Sequence, residues 1–264
     1  MNFSIGRELQ IKDHTLTIRE ILKEDFFNQT LLATGPGGEK YIYKHARFFG
    51  EFLPFRPMAM FFSRRERLAA IRSHGEGTPQ VICFSARAYL MRYQEGPRLL
   101  PDSEVDDLFF DRLWDIIKRL HEQGVAHNDL HKYENFLITD EGKPFVMDFQ
   151  LAAYFPLGRR FFWWPTRPLF KLLTYFDRYH IYKIKRRLRP DLLTPEEDRL
   201  GTRSVWHKIF FKTLVRPYLI VKRTFIPAGS NDRFWFQVKQ KKANKEPSAE
   251  DAEQVSREAP TRGE

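Results

Sequence analysis

The sequence predicts an α+β fold in two lobes, a small β-rich lobe over residues 1–95 and a larger helical lobe over 96–240, followed by a disordered tail at 241–264. Three observations carry that reading. Short β-branched and apolar runs separated by turn chemistry fill the first part of the chain, with one helical stripe among them. After about residue 100 the apolar spacing changes to that of long helices. The chain has 264 residues, 42% of them hydrophobic, enough to bury a substantial core.

The elements follow in order. "TLTIREIL" (Thr15–Leu22) and "QTLLAT" (Gln29–Thr34) have strand length and strand composition. "GPGGE" is a turn, and "YIYKHA" then alternates, with Ile42 and Lys44 on one face and Tyr41 and Tyr43 on the other. "SRRERLAAIRSH" is a helix: Ser63 and Glu66 have capping-box spacing, and Leu68, Ala69 and Ile71 form its stripe. Two more strands, "QVICFSA" and "AYLMRY", complete the small lobe, and a hinge follows at "YQEGP". "SEVDDLFFDRLWDIIKRLHEQG" is a long amphipathic helix, capped by Ser103, striped by Leu108, Leu113, Trp114, Ile117 and Leu120, and stopped by Gly124. "NFLIT", "DEGK" and "PFVMDF" form a hairpin, and the stretch from Tyr154 to Val238 is mostly helical in pattern.

Composition narrows the class. The single cysteine, Cys83, sits in an apolar run, forms no internal disulfide and fits a reducing compartment as a small core residue. No apolar run reaches the roughly 18 residues of a membrane span, and "MNFSIGRELQIKDH" lacks the apolar centre of a secretory signal. The expected location is cytoplasmic, with peripheral attachment to the inner face of a membrane as a further option. The net charge of +10 is uneven: residues 156–245 hold 22 Lys/Arg against 6 Asp/Glu, a net of +16. Aromatic residues interleave with those bases in "RRFFWW", "KIKRRLR" and "FFKTLVRPYLIVKR". Together with "FFGEFLPFRPMAMFF" they suit an anionic membrane surface or an anionic lipid-linked substrate. Nucleic acid is a weaker fit, and a lobe core with a solvated rim is the structural alternative.

The chemistry concentrates in "HNDLHKYENF" (His127–Phe136), between the long helix and the hairpin. With Lys44 in "YIYK", Glu66 on the helix and Asp148 in "DFQ", this loop resembles the protein-kinase-like superfamily. The order matches the strand lysine, the helix glutamate, the H-R-D-x-x-x-x-N loop and the D-F-G aspartate. The resemblance extends to a bacterial branch similar to the lipopolysaccharide core sugar kinases and the RIO-type kinases. It implies ATP and Mg²⁺ as cofactors. By resemblance, Lys44 holds the α- and β-phosphates, Glu66 keeps Lys44 extended, Asn135 and Asp148 hold Mg²⁺, and Asp129 accepts or orients the proton of the acceptor hydroxyl. His127 would support the loop, while His131 and Lys132 would lie beside the acceptor, within reach of the γ-phosphate. Glu95, at the hinge, is the alternative partner for Lys44. His127, Asp129 and His131 would also suit zinc by ligand type, without a further strong ligand in the motif.

Three features depart from the superfamily pattern. Asp129 and Asn135 are six positions apart in place of five, so the loop carries one extra residue. "GPGG" precedes the lysine strand and reads as a hairpin turn, whereas the position of the phosphate loop is taken by the glycine-free "KEDFFNQ" (Lys23–Gln29). No A-P-E element follows "DFQ", which disfavours a peptide acceptor. The expected activity is therefore phosphotransfer from ATP to a hydroxyl of a sugar or lipid-linked glycan such as lipopolysaccharide core, with protein serine or threonine second. The alternative is a pseudokinase-like module that binds nucleotide or a partner at the membrane surface.

Overall fold

The structure, a computed structural model, describes residues 3–24, 28–46, 56–158 and 160–202, without the side chains of 56–59, 62 and 160–163. The expected tail at 241–264, the helical lobe beyond 202, "FFKTLVRPYLIVKR" and most of "RRFFWW" and "FFGEFLPFRPMAMFF" lie outside the described residues or side chains.

The architecture is α+β. A six-stranded antiparallel sheet has the order β1-β2-β3-β4-β6-β5. Its strands are β1 (Glu8–Ile11), β2 (His14–Glu24), β3 (Asn28–Thr34), β4 (Lys40–Ala46), β5 (Val81–Phe84) and β6 (Ala88–Arg92), with helix α1 (Arg56–Arg72) between β4 and β5. β2 shifts register against β3 between Ile18 and Glu20 and again between Ile21 and Lys23. Such irregularities increase local twist and curl a sheet. One face buries Leu16, Ile18, Leu31, Ala33, Tyr43 and Leu90 with Phe3 and Leu9. The other face turns Lys44 and its cross-strand partner Tyr89 toward α1. Cys83 is buried and free.

The chain then passes alongside the second unit. Leu99 N–H donates to Phe136 O and Ile138 N–H to Pro97 O, at 2.9 Å each. Gly96 sits at φ +144, where a Cβ would collide with the carbonyl of Ile138, so this crossing requires glycine. Helix α2 (Phe109–Glu122) follows, then β7 (Val125–Ala126), the hairpin β8 (Phe136–Ile138) and β9 (Pro144–Val146), β10 (Ala153–Tyr154), α3 (Arg160–Leu188) and α4 (Pro195–Leu200). β7 pairs with β10. The inner face of α2, Phe109, Phe110, Leu113, Ile116, Ile117 and Leu120, joins Leu130, Phe136, Val146, Ile181 and Ile184 in one core. Ala69, Ala70 and Tyr89 of the first unit enter the same core. Each fully buried large apolar side chain contributes about 1.5–3 kcal/mol, so apolar packing as well as backbone pairing couples the sheet to the helices.

Three elements differ from the sequence reading. α1 begins at Arg56, so Ser63 lies inside the helix and caps nothing. The residues before Ser63 favour helix, and Pro57 falls in the first turn, where a missing N–H is harmless. α2 begins at Phe109 rather than Ser103. The Ser103 hydroxyl accepts from Leu100 N–H at 2.8 Å and closes a turn. Asp106 and Asp107 are drawn to Arg112 and Arg189 at 2.7 and 2.6 Å, and Leu108 is 54% exposed. β1 is an additional strand: Glu8, Leu9, Gln10 and Ile11 alternate polar and apolar over only four residues, too short a run to stand out, and the strand forms by pairing with β2.

Candidate active site

The site is built where the sheet meets the β7–β8 loop and the end of β9. Lys44 Nζ lies 2.5 Å from Glu66 Oε1, and both residues are buried. Tyr89 O–H donates to the same oxygen at 2.9 Å, and Asn28 Nδ2 donates to Glu66 Oε2 at 3.4 Å. Glu66 is thus a buried ion-pair partner in the interior of α1, not the capping residue its spacing with Ser63 suggested. Burial alone would lower the pKa of Lys44, but Glu66, Tyr89 and Asp148 hold it well above its ordinary value. Tyr89 is raised by burial and by the Glu66 charge. Glu95, the alternative partner, instead pairs with Lys40 at 2.5 Å on the surface.

Lys44 also reaches across to the second unit, with Nζ 3.4 Å from Asp148 Oδ1. Asp148 takes the left-handed conformation, φ +59, and its carboxylate accepts from Gln150 N–H at 3.4 Å. Burial opposes its ionisation, but the charges of Lys44, Lys23 and Lys132 win and hold its carboxyl well below the usual carboxylate range. Lys23 lies at the end of β2, with Nζ 4.0 Å from Asp148 Oδ2 and 3.4 Å from Gln150 Oε1. The glycine-free connection is accordingly shorter than its sequence suggested: Lys23 and Glu24 belong to β2, Asn28 and Gln29 to β3, and 25–27 lie outside the described residues.

The β7–β8 loop is fixed from below. Asp177 of α3, fully buried, accepts from the backbone N–H groups of His127 and Asn128 at 2.8 Å each. His121 Nε2 lies 3.0 Å from the same carboxylate. The buried His127 ring donates from Nε2 to Met147 O at 3.0 Å, accepts from Asp129 N–H at Nδ1 at 3.4 Å, and packs edge-on against Phe149. A proton on Nε2 satisfies both ring nitrogens.

Within the loop, Asp129 Oδ2 accepts from Lys132 Nζ at 2.8 Å and from Asn135 Nδ2 at 3.0 Å. Its Oδ1 faces His131 Nδ1 at 3.2 Å, outside hydrogen-bond geometry. Asn135 Nδ2 also donates to Asp129 O at 2.9 Å, which leaves Oδ1 as the end of the amide open to a cation. The β8–β9 register sets Phe136 opposite Val146, and Met147 N–H donates to Asn135 O at 2.9 Å, so Asn135 stands beside the residue that precedes Asp148. By ligand type, the Asn135 amide oxygen and the Asp148 carboxylate are the oxygen donors here that could hold a hard cation such as Mg²⁺, which takes few protein ligands. Among the described residues no group of three or more His, Cys, Asp and Glu converges, so the zinc set of His127, Asp129 and His131 does not assemble.

Asp177, Lys23 and Tyr89 carry no signal in the sequence, since each acts through a contact between elements distant in the chain. "GPGG" joins β3 to β4, with Gly38 at φ +85 and Gly35 N–H donating to Glu39 O at 2.9 Å, and takes no part in the site. A cleft of 1210 Å³ between β5, β6, α2 and the hairpin turn also contains none of the site residues.

The structure also sorts the bases of α3. Lys185 is buried with Nζ 2.8 Å from Glu197, and Arg186 pairs with Asp198 at 2.6 Å. Of the run Lys183, Lys185, Arg186 and Arg187, two are consumed inside the protein, which weakens a reading of "KIKRRLR" as one uniform basic surface.

No protein-family model matches the sequence, and no curated protein shows significant similarity to it. The chain is similar to a solved structure of the BubR1 kinase domain, at 13% identity and a TM-score of 0.45, over 71% of this chain and 66% of that one. It therefore spans slightly under two thirds of that domain's length. The described residues themselves form an α+β arrangement, a six-stranded antiparallel sheet with several helices.

Proposed function

We propose that the protein is an ATP- and Mg²⁺-dependent phosphotransferase that acts on a hydroxyl of a sugar or lipid-linked glycan. One observation supports the reading: Lys44, held by Glu66, reaches Asp148 across the junction, while the hairpin sets Asn135, itself bonded to Asp129, against Met147, the residue before Asp148. The lobes divide at about residues 95 and 96, with the phosphates bound between them. Lys44 and Lys23 hold phosphate oxygens as point charges. Asn135 and Asp148 hold Mg²⁺, which supplies charge neutralisation on the phosphates when bound. Asp129 orients the acceptor hydroxyl and takes its proton as the oxygen bonds to the γ-phosphorus and the bond to ADP breaks. Lys132 lies on Asp129 and must give way to the acceptor or bridge it to the transferred group.

A second reading, a nucleotide-binding module without transfer, is favoured by the glycine-free β2–β3 connection and by the closed Lys132–Asp129 pair. The protein is cytoplasmic in both readings and peripheral to a membrane. Exposed Met60 and Phe61 on α1 and Trp164 and Leu169 on α3 support that attachment, and no described helix is long and apolar enough to cross a membrane.

The test is Mg²⁺-dependent ATP binding by calorimetry, followed by radiolabelled phosphate transfer to cell-envelope extracts. Binding with transfer supports the enzyme. Binding without transfer to glycan or protein acceptors supports the module, and absence of binding removes both.

A further inference from the structure

Helix α3 divides its bases between two sides, those that meet α4 and those that do not. On one, Arg178, Lys185 and Arg186 meet the first-turn acids of α4, with Arg178–Glu196 at 3.8 Å, Lys185–Glu197 at 2.8 Å and Arg186–Asp198 at 2.6 Å. α4 is fixed there by a capping box between Thr194 and Glu197. At 3.6 residues per turn, His180, Lys183 and Arg187 fall roughly half a turn away from Arg178 and Lys185. Spaced i, i+3 and i+7, they form one stripe.

That second stripe borders the β7–β8 loop. The His180 ring lies 5.6 Å from the His131 ring, and the Arg187 guanidinium lies 5.9 Å from the Tyr133 ring. Lys183 stands between them by spacing, and its field reaches His131: burial, then Lys132 and Lys183, lower the pKa of that ring against the pull of Asp129 and Glu134. Lys183 and Arg187 are exposed, and among the described residues no carboxylate forms an ion pair with either. Lys132 is already paired with Asp129. The two α3 bases are thus the charges left over for a ligand, and they stand next to the loop whose Asp129 would meet the acceptor hydroxyl.

We propose that Lys183 and Arg187 seat an anionic group of the acceptor, a phosphate or carboxylate lying close to the hydroxyl presented to Asp129. This rests on the phosphotransfer reading and narrows its substrate class from hydroxyl compounds in general to anionic ones. Two exposed cations flanking a small anion select it by charge and distance, whereas a neutral sugar gains nothing from them.

The test uses the full chain saturated with Mg-ADP, so that the nucleotide site is filled, and titrates inorganic phosphate, glucose 6-phosphate and glucose by calorimetry. Wild type should bind the two phosphates in preference to glucose. Lys183→Gln with Arg187→Gln should weaken both by about three- to tenfold and leave Mg-ADP affinity unchanged, the range for a pair of exposed charges. Lys183→Arg with Arg187→Lys should keep the affinity, and Lys118→Gln with Lys171→Gln, an equal loss of charge elsewhere, should not change it. Equal affinity of wild type for glucose and glucose 6-phosphate, or unchanged phosphate affinity in the double glutamine variant, would overturn the proposal while leaving phosphotransfer standing. Failure of wild type to bind Mg-ADP would instead remove the phosphotransfer reading and this one with it. Co-sedimentation with phosphatidylglycerol and with phosphatidylcholine vesicles separates the sources of phosphate. If the double glutamine variant loses only vesicle binding, the stripe is a membrane contact and the acceptor proposal falls.

Discussion

Asp177 holds His127 by its backbone: the fully buried carboxylate on α3 accepts the His127 N–H at 2.8 Å, and its other oxygen accepts the next N–H along the chain, also at 2.8 Å. A single side chain in the middle of the 29-residue helix α3 therefore anchors the start of the β7–β8 loop.

Removing that grip should cost both stability and geometry. Asp177→Ala leaves two backbone donors without their acceptor, and hydrogen bonds to charged groups contribute roughly 1.5–3 kcal/mol each. Chemical denaturation should show a loss of about 3–5 kcal/mol. Asp177→Asn, which keeps one acceptor oxygen, should fall between. A loss in Asp177→Ala no larger than that of an exposed Asp→Ala would show that the loop is held by other contacts.

The Lys44–Glu66 pair is buried, so breaking it from one side strands a charge. Glu66→Gln should destabilise the fold by about 3–5 kcal/mol and weaken Mg-ATP binding. Lys44→Met with Glu66→Leu should recover much of the stability without recovering the binding. Because Lys44 is raised above its ordinary value, its contribution is fully present at neutral pH and is lost only as strongly alkaline pH passes its folded pKa. Denaturation between pH 6 and about pH 9 should therefore not weaken it.

Asp148 behaves in the opposite sense. Its folded pKa is depressed, so its contribution is present above the ordinary carboxylate pKa and drains away as pH falls toward the folded value. Wild-type stability should decline progressively below about pH 5, and Asp148→Asn should flatten that decline. The same variant should abolish Mg²⁺-dependent ATP binding. Retained metal-dependent binding would remove Asp148 from the Mg²⁺ set.

Asp129→Asn separates binding from transfer. Nucleotide affinity should stay within about twofold, and transfer should fall by the 10²–10⁴ typical of a lost acid–base group. Parallel loss of both would make Asp129 a structural residue of the loop.

Lys23 should prove a modest contributor. It is 42% exposed at the side chain, so screening limits its effect. Lys23→Ala should weaken Mg-ATP binding by about two- to fivefold and do so less at high salt. No change at low salt would mean that Lys23 serves Asp148 and Gln150 alone.

Much of the architecture is written locally. The strand-length apolar runs "TLTIREIL" and "QTLLAT", the alternation of "YIYKHA", the turn chemistry of "GPGGE", the stripe of Leu113, Ile117 and Leu120, and the stop at Gly124 are each encoded within a few residues. At Gly124, φ is +78 and a Cβ would collide with Phe155 O, so local signal and packing demand agree. The α+β class was legible for the same reason; the set Lys44, Glu66, Asp129, Asn135 and Asp148 came from the resemblance of their motifs to the protein-kinase-like superfamily, and the fold brings Lys44 to Glu66 and Asp148 and Asn135 to Asp129. The helix starts were not, because a capping box at Ser63 and an acidic run after Ser103 look the same whether or not tertiary contacts claim them. Packing decided that Glu66 meets Lys44 and Tyr89, that Asp107 turns to Arg189 at the distant end of α3, and that α4 neutralises Lys185 and Arg186 but leaves Lys183 and Arg187 uncovered. Sequence determines which charges exist; only the folded chain determines which of them find a partner, because the energy of a charge depends on what lies within a few ångströms and not on its neighbours along the chain.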